Sequence, residues 1–244
     1  MDLLDIVKYA LLPALAVGLA HWIAVRPRSL RVPAIVDFQY FAAGIVFSAV
    51  SAELLPQIFA RHNPLWVILG FLAGMGLAHA TAAAVEKKQP LDLRLLATLL
   101  LVNACMAGLL VGVAFVAGSQ QGRLLSVALI GRMAFVGLNT PHTAGLGLSR
   151  TFTAGLVTLG TCGVLIAVAV LSFVVLSQLP HLILDGSLAL GLSGVLYLTT
   201  RDLLLEIQDE LQAGFRTRLF CVGYILFLVL HMVAISLSQP EPIP

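Results

Sequence analysis

Residues 95–117, LLATLLLVNACMAGLLVGVAFVA, run for 23 positions without a charged side chain. A hydrocarbon core about 30 Å thick needs roughly 20 apolar residues for one helical crossing, so this stretch is long enough to span a membrane. The rest of the chain has the same character, because 59% of its 244 residues are hydrophobic and only 11% are charged. Average soluble domains have about 25% charged residues. The sequence therefore predicts an integral membrane protein in contact with a lipid bilayer.

Polar breaks divide the chain into eight such apolar runs. Lipid tails offer no hydrogen-bond partner to backbone N–H and C=O groups, so a membrane-spanning segment must pair these groups within a helix or within a closed β-barrel. The alternating pattern of a β-barrel is absent, and each run is therefore predicted to be a helix. The eight helices use nearly the whole length, and residues 1–244 are therefore predicted to form a single all-α transmembrane domain. The predicted helices occupy residues 3–25, 35–59, 65–86, 91–117, 123–148, 151–177, 182–207 and 215–237.

Lysine and arginine are distributed unevenly over the short loops. Nine of them lie in or beside the odd-numbered loops, and three lie on the opposite side. Cytoplasmic loops carry the excess of positive charge, so this bias predicts that both termini are extracytoplasmic. We expect a multi-pass protein of the plasma or inner membrane. The nine residues are Arg26, Arg28, Arg31, Lys87, Lys88, Arg94, Arg150, Arg216 and Arg218, and the three are Lys8, Arg61 and Arg123.

The sequence argues against nucleic-acid binding and against enzymatic chemistry. The net charge is only +2, and no cluster of Lys and Arg forms a basic face, so no nucleic-acid partner is expected. No nucleophile with a neighbouring base and no phosphate-binding glycine loop stands out, so an enzyme is not expected. Cys105, Cys162 and Cys221 lack C-x-x-C spacing, which argues against a disulfide framework and a cysteine zinc site.

Two arginines, Arg132 and Arg201, lie inside predicted spans. A charge there costs at least about 2.5–3.5 kcal/mol on insertion scales, so it normally faces a bundle interior or aqueous cavity and has a partner. Counting 1.5 Å per residue puts Arg132 about 13 Å, and Glu53 about 9 Å, below the same membrane boundary. We predict that these two side chains pair and that Asn103 hydrogen-bonds the arginine. The alternative is an ion pair that only fixes helix packing, since buried pairs are weak evidence of function.

A second polar cluster is predicted nearer the cytoplasmic side. Arg201, Asp202 and Glu206 on the seventh run reach the depth of His79 on the third. Histidine titrates near neutral pH and intramembrane carboxylates often carry protons in transporters, so the cluster could form an inner gate or a proton relay. The alternative is that these side chains extend from a helix end into the interface.

Short motifs follow one another along the chain in a recognisable order. They are AELLPQ at 52–57, GFLAG at 70–74, GLLVGVAF at 108–115 and RDLLLE at 201–206. In this order and spacing they resemble the ZIP family of metal transporters, whose second helix commonly ends His-Glu-Leu-Leu-Pro-Glu. The resemblance covers nearly the full chain. It implies an eight-helix bundle of ZIP type with both termini outside, a homodimer, and a divalent metal such as zinc as substrate rather than cofactor.

This chain lacks almost all of the ligand residues that form the metal-binding motifs of that family. In that family the fourth helix carries a His-Asn-x-Pro-Glu-Gly type motif, and this sequence has NACMAG at 103–108 in its place. The fifth helix of the family carries a His-x-x-Pro-Glu-Gly type motif, and this sequence has RMAFVG at 132–137 in its place. Residues at i and i+4 share one helix face, so such motifs can surround a cation. Arg132 cannot bind a cation. The remaining candidate metal ligands are Asn103, Glu53 and Asp202.

Three functional interpretations remain open at the level of sequence. The first is a secondary transporter of divalent metal whose path is lined by Asn103, Glu53, His79 and Asp202. The second is a transporter of an anion or small solute, because Arg132 and Arg201 put positive charge where a cation needs negative ligands. The third is a non-transporting scaffold or regulatory subunit fixed in one conformation by an Arg132 ion pair.

Overall fold

The computed structural model describes residues 3–25, 32–56, 64–86, 93–143, 148–179, 181–205 and 213–238. Within these ranges eight helices are long and apolar enough to cross a membrane. The prediction of an all-α, multi-pass membrane protein is therefore confirmed, and the orientation of its termini stays a prediction. The helices are α1 (Leu3–Ala24), α2 (Val32–Ala49), α3 (Pro64–Glu86), α4 (Leu93–Ala117), α5 (Ser119–Thr143), α6 (Leu148–Leu176), α7 (His181–Leu205) and α8 (Ala213–Ser238).

The second helix changes its winding near its end. α2 continues directly into a π-helical segment, Val50–Leu54, which contains Glu53. A π turn has one residue more than an α turn, so it rotates the side chains that follow it relative to a regular helix. Such turns are often found at functional sites. The direction in which Glu53 points therefore cannot be read from regular helical spacing.

The helices pack as a four-helix unit with a second layer beside it. In the unit, α1 packs on α5, α4 packs on α6, and the two pairs join through α1 with α6 and α4 with α5. The second layer consists of two pairs, α2 with α8 and α3 with α7. The first pair contacts the unit mainly through α2 on α5, and the second mainly through α7 on α4. The boundary between unit and layer is thus formed by α2, α4, α5 and α7.

These four boundary helices are also the most deeply buried. Between 56% and 67% of the residues in their most apolar stretches are buried, against 11% for α8 and 22% for α3. Apolar side chains of α8 such as Ile225 and Met232 are about 60% exposed, which suits contact with lipid tails. Any polar side chain on the inner faces of α2, α4, α5 and α7 is therefore held away from lipid.

Close approach of helix backbones depends on glycine. A Cβ added to Gly74 on α3 would lie 2.2 Å from the backbone oxygen of Leu190 on α7, and one added to Gly112 on α4 would lie 2.4 Å from that of Ala169 on α6. Lipid provides no hydrophobic drive for helices to associate, so small residues that permit close packing are what hold such pairs together. Gly160 on α6 differs, because a Cβ added there would meet no atom within 4 Å.

The connection between α4 and α5 is shorter than the sequence predicts. Only Gly118 separates the two helices, and Arg123 lies inside α5, where its Nε donates to the backbone oxygen of Ser119 at 3.2 Å. The predicted loop over 118–122 is therefore helical from Ser119 onward. The tight connection is possible because Gly122 leaves room for the ring of Phe115, which a Cβ would meet at 2.4 Å.

Candidate functional site

A buried arginine lies where the four-helix unit meets the second layer. Arg132 on α5 is 3% exposed, and it is flanked by Asn103 on α4 and Thr199 on α7, which are 6% and 4% exposed. The Nη2 group of Arg132 donates a hydrogen bond to Oδ1 of Asn103 over 2.6 Å. Its Nη1 group donates to the hydroxyl oxygen of Thr199. The predicted hydrogen bond between Asn103 and Arg132 is confirmed, and the arginine ties the unit to the second layer.

Both acceptors are oriented by their own helices. The hydroxyl of Thr199 donates its single proton to the backbone oxygen of Val195 at 2.7 Å, which leaves its lone pairs for Arg132. The amide nitrogen of Asn103 lies 3.5 Å from the backbone oxygen of Leu99, which turns its carbonyl oxygen toward the arginine. These local contacts hold two acceptor oxygen atoms at the positions where the N–H groups of the guanidinium donate hydrogen bonds.

Arg132 has a carboxylate in its electrostatic surroundings but no direct salt bridge among the described residues. Asp202 lies almost one turn beyond Thr199 on α7 and interacts electrostatically with Arg132 and with Arg201. Among the described residues no carboxylate oxygen lies within 4 Å of the Arg132 guanidinium. An intramembrane charge normally faces a bundle interior and has a partner, and Asp202 is the carboxylate that acts on Arg132 through space.

Two small cavities adjoin this arginine. One, of about 10 Å³, is lined by Gln39 of α2 together with Arg132, Phe135, Thr199 and Asp202. The other, of about 60 Å³, is lined by Asn103, Asn139, Thr140 and Asp202 among apolar neighbours, and Phe135 borders both. A single water molecule needs roughly 10–15 Å³. The first cavity is thus at the limit for one water, and the second has room for several waters or a small polar solute.

Polar atoms at the smaller cavity lack partners. Gln39 is 3% exposed, and neither its amide oxygen nor its amide nitrogen has a hydrogen-bond partner in the part of the chain that the structure describes; the same holds for Nε of Arg132. An unpaired buried polar group costs about 1–3 kcal/mol, so three such atoms beside one cavity would be stabilised by a small hydrogen-bonding guest. We call Gln39, Asn103, Arg132, Thr199 and Asp202 the central network.

The predicted pairing of Arg132 with Glu53 is wrong. Glu53 is 6% exposed, and its Oε1 lies 2.6 Å from Nδ1 of His231 on α8. The prediction depends on the similar depths of the two residues in the membrane, and depth does not determine how a helix is rotated about its axis. The π-helical segment directs Glu53 toward α8, which packs against α2 in the second layer, while Arg132 faces α4 and α7.

The predicted inner cluster is divided. The ring Nδ1 of His79 lies 2.7 Å from the hydroxyl of Tyr197, and the two rings meet edge to face with their centres 5.8 Å apart. Tyr197 is one turn before Arg201 on α7, so His79 reaches the same helix at a different level from Asp202. Asp202 instead belongs to the central network. Glu206 lies outside the described residues.

The candidate metal ligands do not form a metal site. Glu53 faces His231, whereas Asn103 and Asp202 line the same cavity beside the Arg132 cation. Over the described ranges no group of three or more His, Cys, Asp and Glu side chains could hold a metal ion. Two oxygen donors next to a guanidinium do not provide the negative ligand set that a divalent cation needs.

Sequence reasoning missed several residues of these sites. Gln39 and Thr199 belong to the central network, and His231 partners Glu53. A further contact joins Asp37 of α2 to the buried Arg216 of α8, with Oδ1 and Nε 3.7 Å apart. Gln39 gave a usable signal, because an amide inside an apolar run is unusual, but a single threonine in such a run gives none.

No family model matches this sequence, and no curated protein matches it. The resemblance to the ZIP family therefore rests on the sequence motifs alone and stays a prediction.

Proposed function

We propose that this chain is a secondary transporter whose central network binds a small anionic or strongly hydrogen-bonding solute. The observation that carries the proposal is the Arg132 guanidinium, whose two hydrogen bonds run from α5 to α4 and across the boundary to α7. Beside it lie a polar cavity and unpaired polar atoms of Gln39 and Arg132. Arginine is well suited to hold an oxyanion, because its fork of N–H donors is always charged.

Alternating access gives this arrangement a mechanism. In many transporters one group of helices rocks against another around a site near the middle of the membrane. The Arg132 to Thr199 bond joins the four-helix unit to the second layer, so separation of the two would break it. A bound anion that takes over the released N–H donors would compensate for that loss. The substrate would then favour the conformations through which it is carried.

Divalent metal transport, which the ZIP resemblance implies, has less support from the geometry. A cation at Asn103 and Asp202 would lie beside the positive charge of Arg132, and like charges in a poorly hydrated site repel strongly. The scaffold interpretation has one observation in its favour, since the hydrogen bonds of Arg132 to Asn103 and Thr199 both end on the protein itself. A homodimer, extracytoplasmic termini and a plasma or inner membrane location remain part of the proposal.

Thermal unfolding of the purified protein in detergent tests the proposal. Chloride, nitrate, phosphate, bicarbonate and small carboxylates are titrated separately, and zinc, cadmium and manganese form a second set. A ligand that binds the folded state raises the melting temperature as its concentration rises, by about 2.7 kcal/mol of added stability at a hundred times its Kd. We expect an anion to do so in the wild-type protein and not in Arg132→Gln.

Arg123→Gln is the matched control. It removes the same charge from the same helix, but Arg123 is exposed and bonds to the backbone oxygen of Ser119. The anion response should survive in this variant. A metal response that persists in Arg132→Gln would support the metal transporter instead. If neither the anions nor the metals raise the melting temperature, and proteoliposomes show no flux, the scaffold interpretation is favoured.

A further inference from the structure

A cavity lies between α1 and α6, on the far side of the four-helix unit from the second layer. Its volume is about 470 Å³, and its walls are almost entirely apolar. Ligand pockets in proteins typically measure about 300–1,000 Å³. The walls come from the end of α1 and the first half of α6, and they include Gly18, His21, Trp22, Gly155, Leu156 and Leu159.

Two glycines keep this cavity open. A Cβ added to Gly155 on α6 would have one atom within 4 Å, the ring Nε2 of His21 at 3.8 Å. A Cβ added to Gly18 on α1 would likewise have one, the sulfur of Cys162 at 3.9 Å. Larger side chains at these positions would occupy the space. The imidazole of His21 therefore points its Nε2 edge toward the place that Gly155 leaves empty.

His21 is a buried, ionisable side chain in the wall of this almost entirely apolar cavity. It is 6% exposed, and neither of its ring nitrogens has a hydrogen-bond partner within the described ranges. A neutral imidazole carries one N–H donor and one acceptor, so a buried ring with neither used calls for a ligand or a rearrangement. Nothing apolar can satisfy it. The missing partner must bring an oxygen or nitrogen atom into an otherwise apolar space.

The position of the cavity indicates where that oxygen comes from. His21 and Trp22 lie in the last turn of α1, and tryptophan at the end of a membrane span is typical of the interface between lipid tails and headgroups. Trp22, Leu156 and Leu159 are 57%, 54% and 65% exposed, so the cavity opens on the face that contacts lipid. At this depth the ester carbonyls of bilayer glycerolipids are abundant hydrogen-bond acceptors without a donor of their own.

We propose that the cavity between α1 and α6 binds an acyl chain of a bilayer glycerolipid whose ester carbonyl accepts a hydrogen bond from Nε2 of His21. The chain fills the apolar space over Gly18 and Gly155, and the carbonyl supplies the partner that the imidazole lacks. The site is separate from the central network and does not depend on what that network carries.

Matched lipids test the hydrogen bond. Delipidated protein in detergent is titrated with dioleoyl phosphatidylglycerol and with its diether analogue, which has the same headgroup and chain length but no carbonyl. Bound lipid is counted by native mass spectrometry, and the melting temperature is recorded in parallel. One net hydrogen bond corresponds to an affinity about two- to tenfold higher for the ester lipid. Equal affinities of the two lipids for the wild-type protein would overturn the assignment of the carbonyl to His21.

Variants distinguish the contribution of the His21 imidazole to lipid binding from that of the cavity volume. His21→Leu should remove the preference for the ester lipid, and His21→Gln, which keeps an N–H donor, should restore part of it. Gly155→Leu should abolish binding of both lipids at this site by filling the cavity. Gly160→Leu is the control on the same helix, because a Cβ there meets no atom within 4 Å. It should bind both lipids as the wild-type protein does.

Two results would overturn the proposal. If Gly155→Leu binds as much lipid as Gly160→Leu, the cavity is not the site. If neither lipid binds there but decylubiquinone stabilises the protein in a manner that Gly155→Leu abolishes, the occupant is a quinone and not a bilayer glycerolipid.

Discussion

Two of the buried polar groups in the described part of the chain differ in which helices they connect. The central network joins α5 to α4 inside the four-helix unit and to α7 in the second layer. The pair of Glu53 and His231 joins the π-helical end of α2 to α8, and both of these belong to the second layer. A relative movement of the unit and the layer would break the first and leave the second intact. Position relative to this boundary therefore separates a candidate substrate site from a contact that holds one layer together.

The largest effect is expected from removal of the arginine itself. Arg132→Ala should lower the free energy of unfolding by about 2–4 kcal/mol, because it leaves the buried oxygen acceptors of Asn103 and Thr199 without their donors and removes one of the two cations that act on Asp202. Arg123→Ala on the same helix should change it by less than about 0.5 kcal/mol, since that side chain is exposed. Reversible unfolding in mixed micelles measures both. Similar losses in the two variants would show that Arg132 contributes no more than a surface arginine.

The Glu53 and His231 pair should respond in a different way. His231→Leu alone should cost about 1–3 kcal/mol, because it leaves the buried carboxylate of Glu53 without its partner. Replacing both residues by leucine should return stability close to that of the wild-type protein, since apolar substitutes of similar size often match a buried pair. Ligand responses of the central network should be unchanged in the double variant. Their loss would place Glu53 in the substrate site, as the sequence alone suggests.

Double-mutant cycles measure directly whether the central network and the Glu53–His231 pair are energetically independent. Arg132→Gln combined with Asn103→Ala should show a coupling energy within the range of about 0.5–3 kcal/mol that is typical of residues in contact. Arg132→Gln combined with Glu53→Gln should be additive to within about 0.5 kcal/mol, because the two side chains share no partner. The measured quantity is the unfolding free energy of each single and double variant. Strong coupling in the second cycle would restore the pairing with Glu53.

The sequence was sufficient for the helices and for the contact of Arg132 with Asn103, and insufficient for the other contacts. Long uncharged runs such as 95–117 can only be buried in lipid as helices, so their number and approximate limits follow from composition. Arg132 was identifiable for the same reason, because a charge in such a run needs an interior position. The carboxylate predicted to pair with it, Glu53, was wrong, since depth along two helices leaves rotation undetermined and the π turn at Val50–Leu54 changes the rotation of Glu53. Thr199 is a partner that only the three-dimensional structure reveals, because nothing in the sequence relates its position on α7 to Arg132 on α5.

The smallest and most specific effect is expected at Gln39. Its amide is buried without a hydrogen-bond partner among the described residues, and it faces the cavity beside Arg132. Replacement by leucine removes a polar group that the protein alone does not satisfy, so Gln39→Leu should raise the free energy of unfolding by up to about 1 kcal/mol. If the amide serves a bound solute, the same variant should weaken the anion-induced rise in melting temperature. Higher stability with a weaker ligand response is the combination expected of a residue kept for binding, because a packing residue would lose stability on substitution. Lower stability with an unchanged ligand response would remove Gln39 from the site and leave the arginine as its centre.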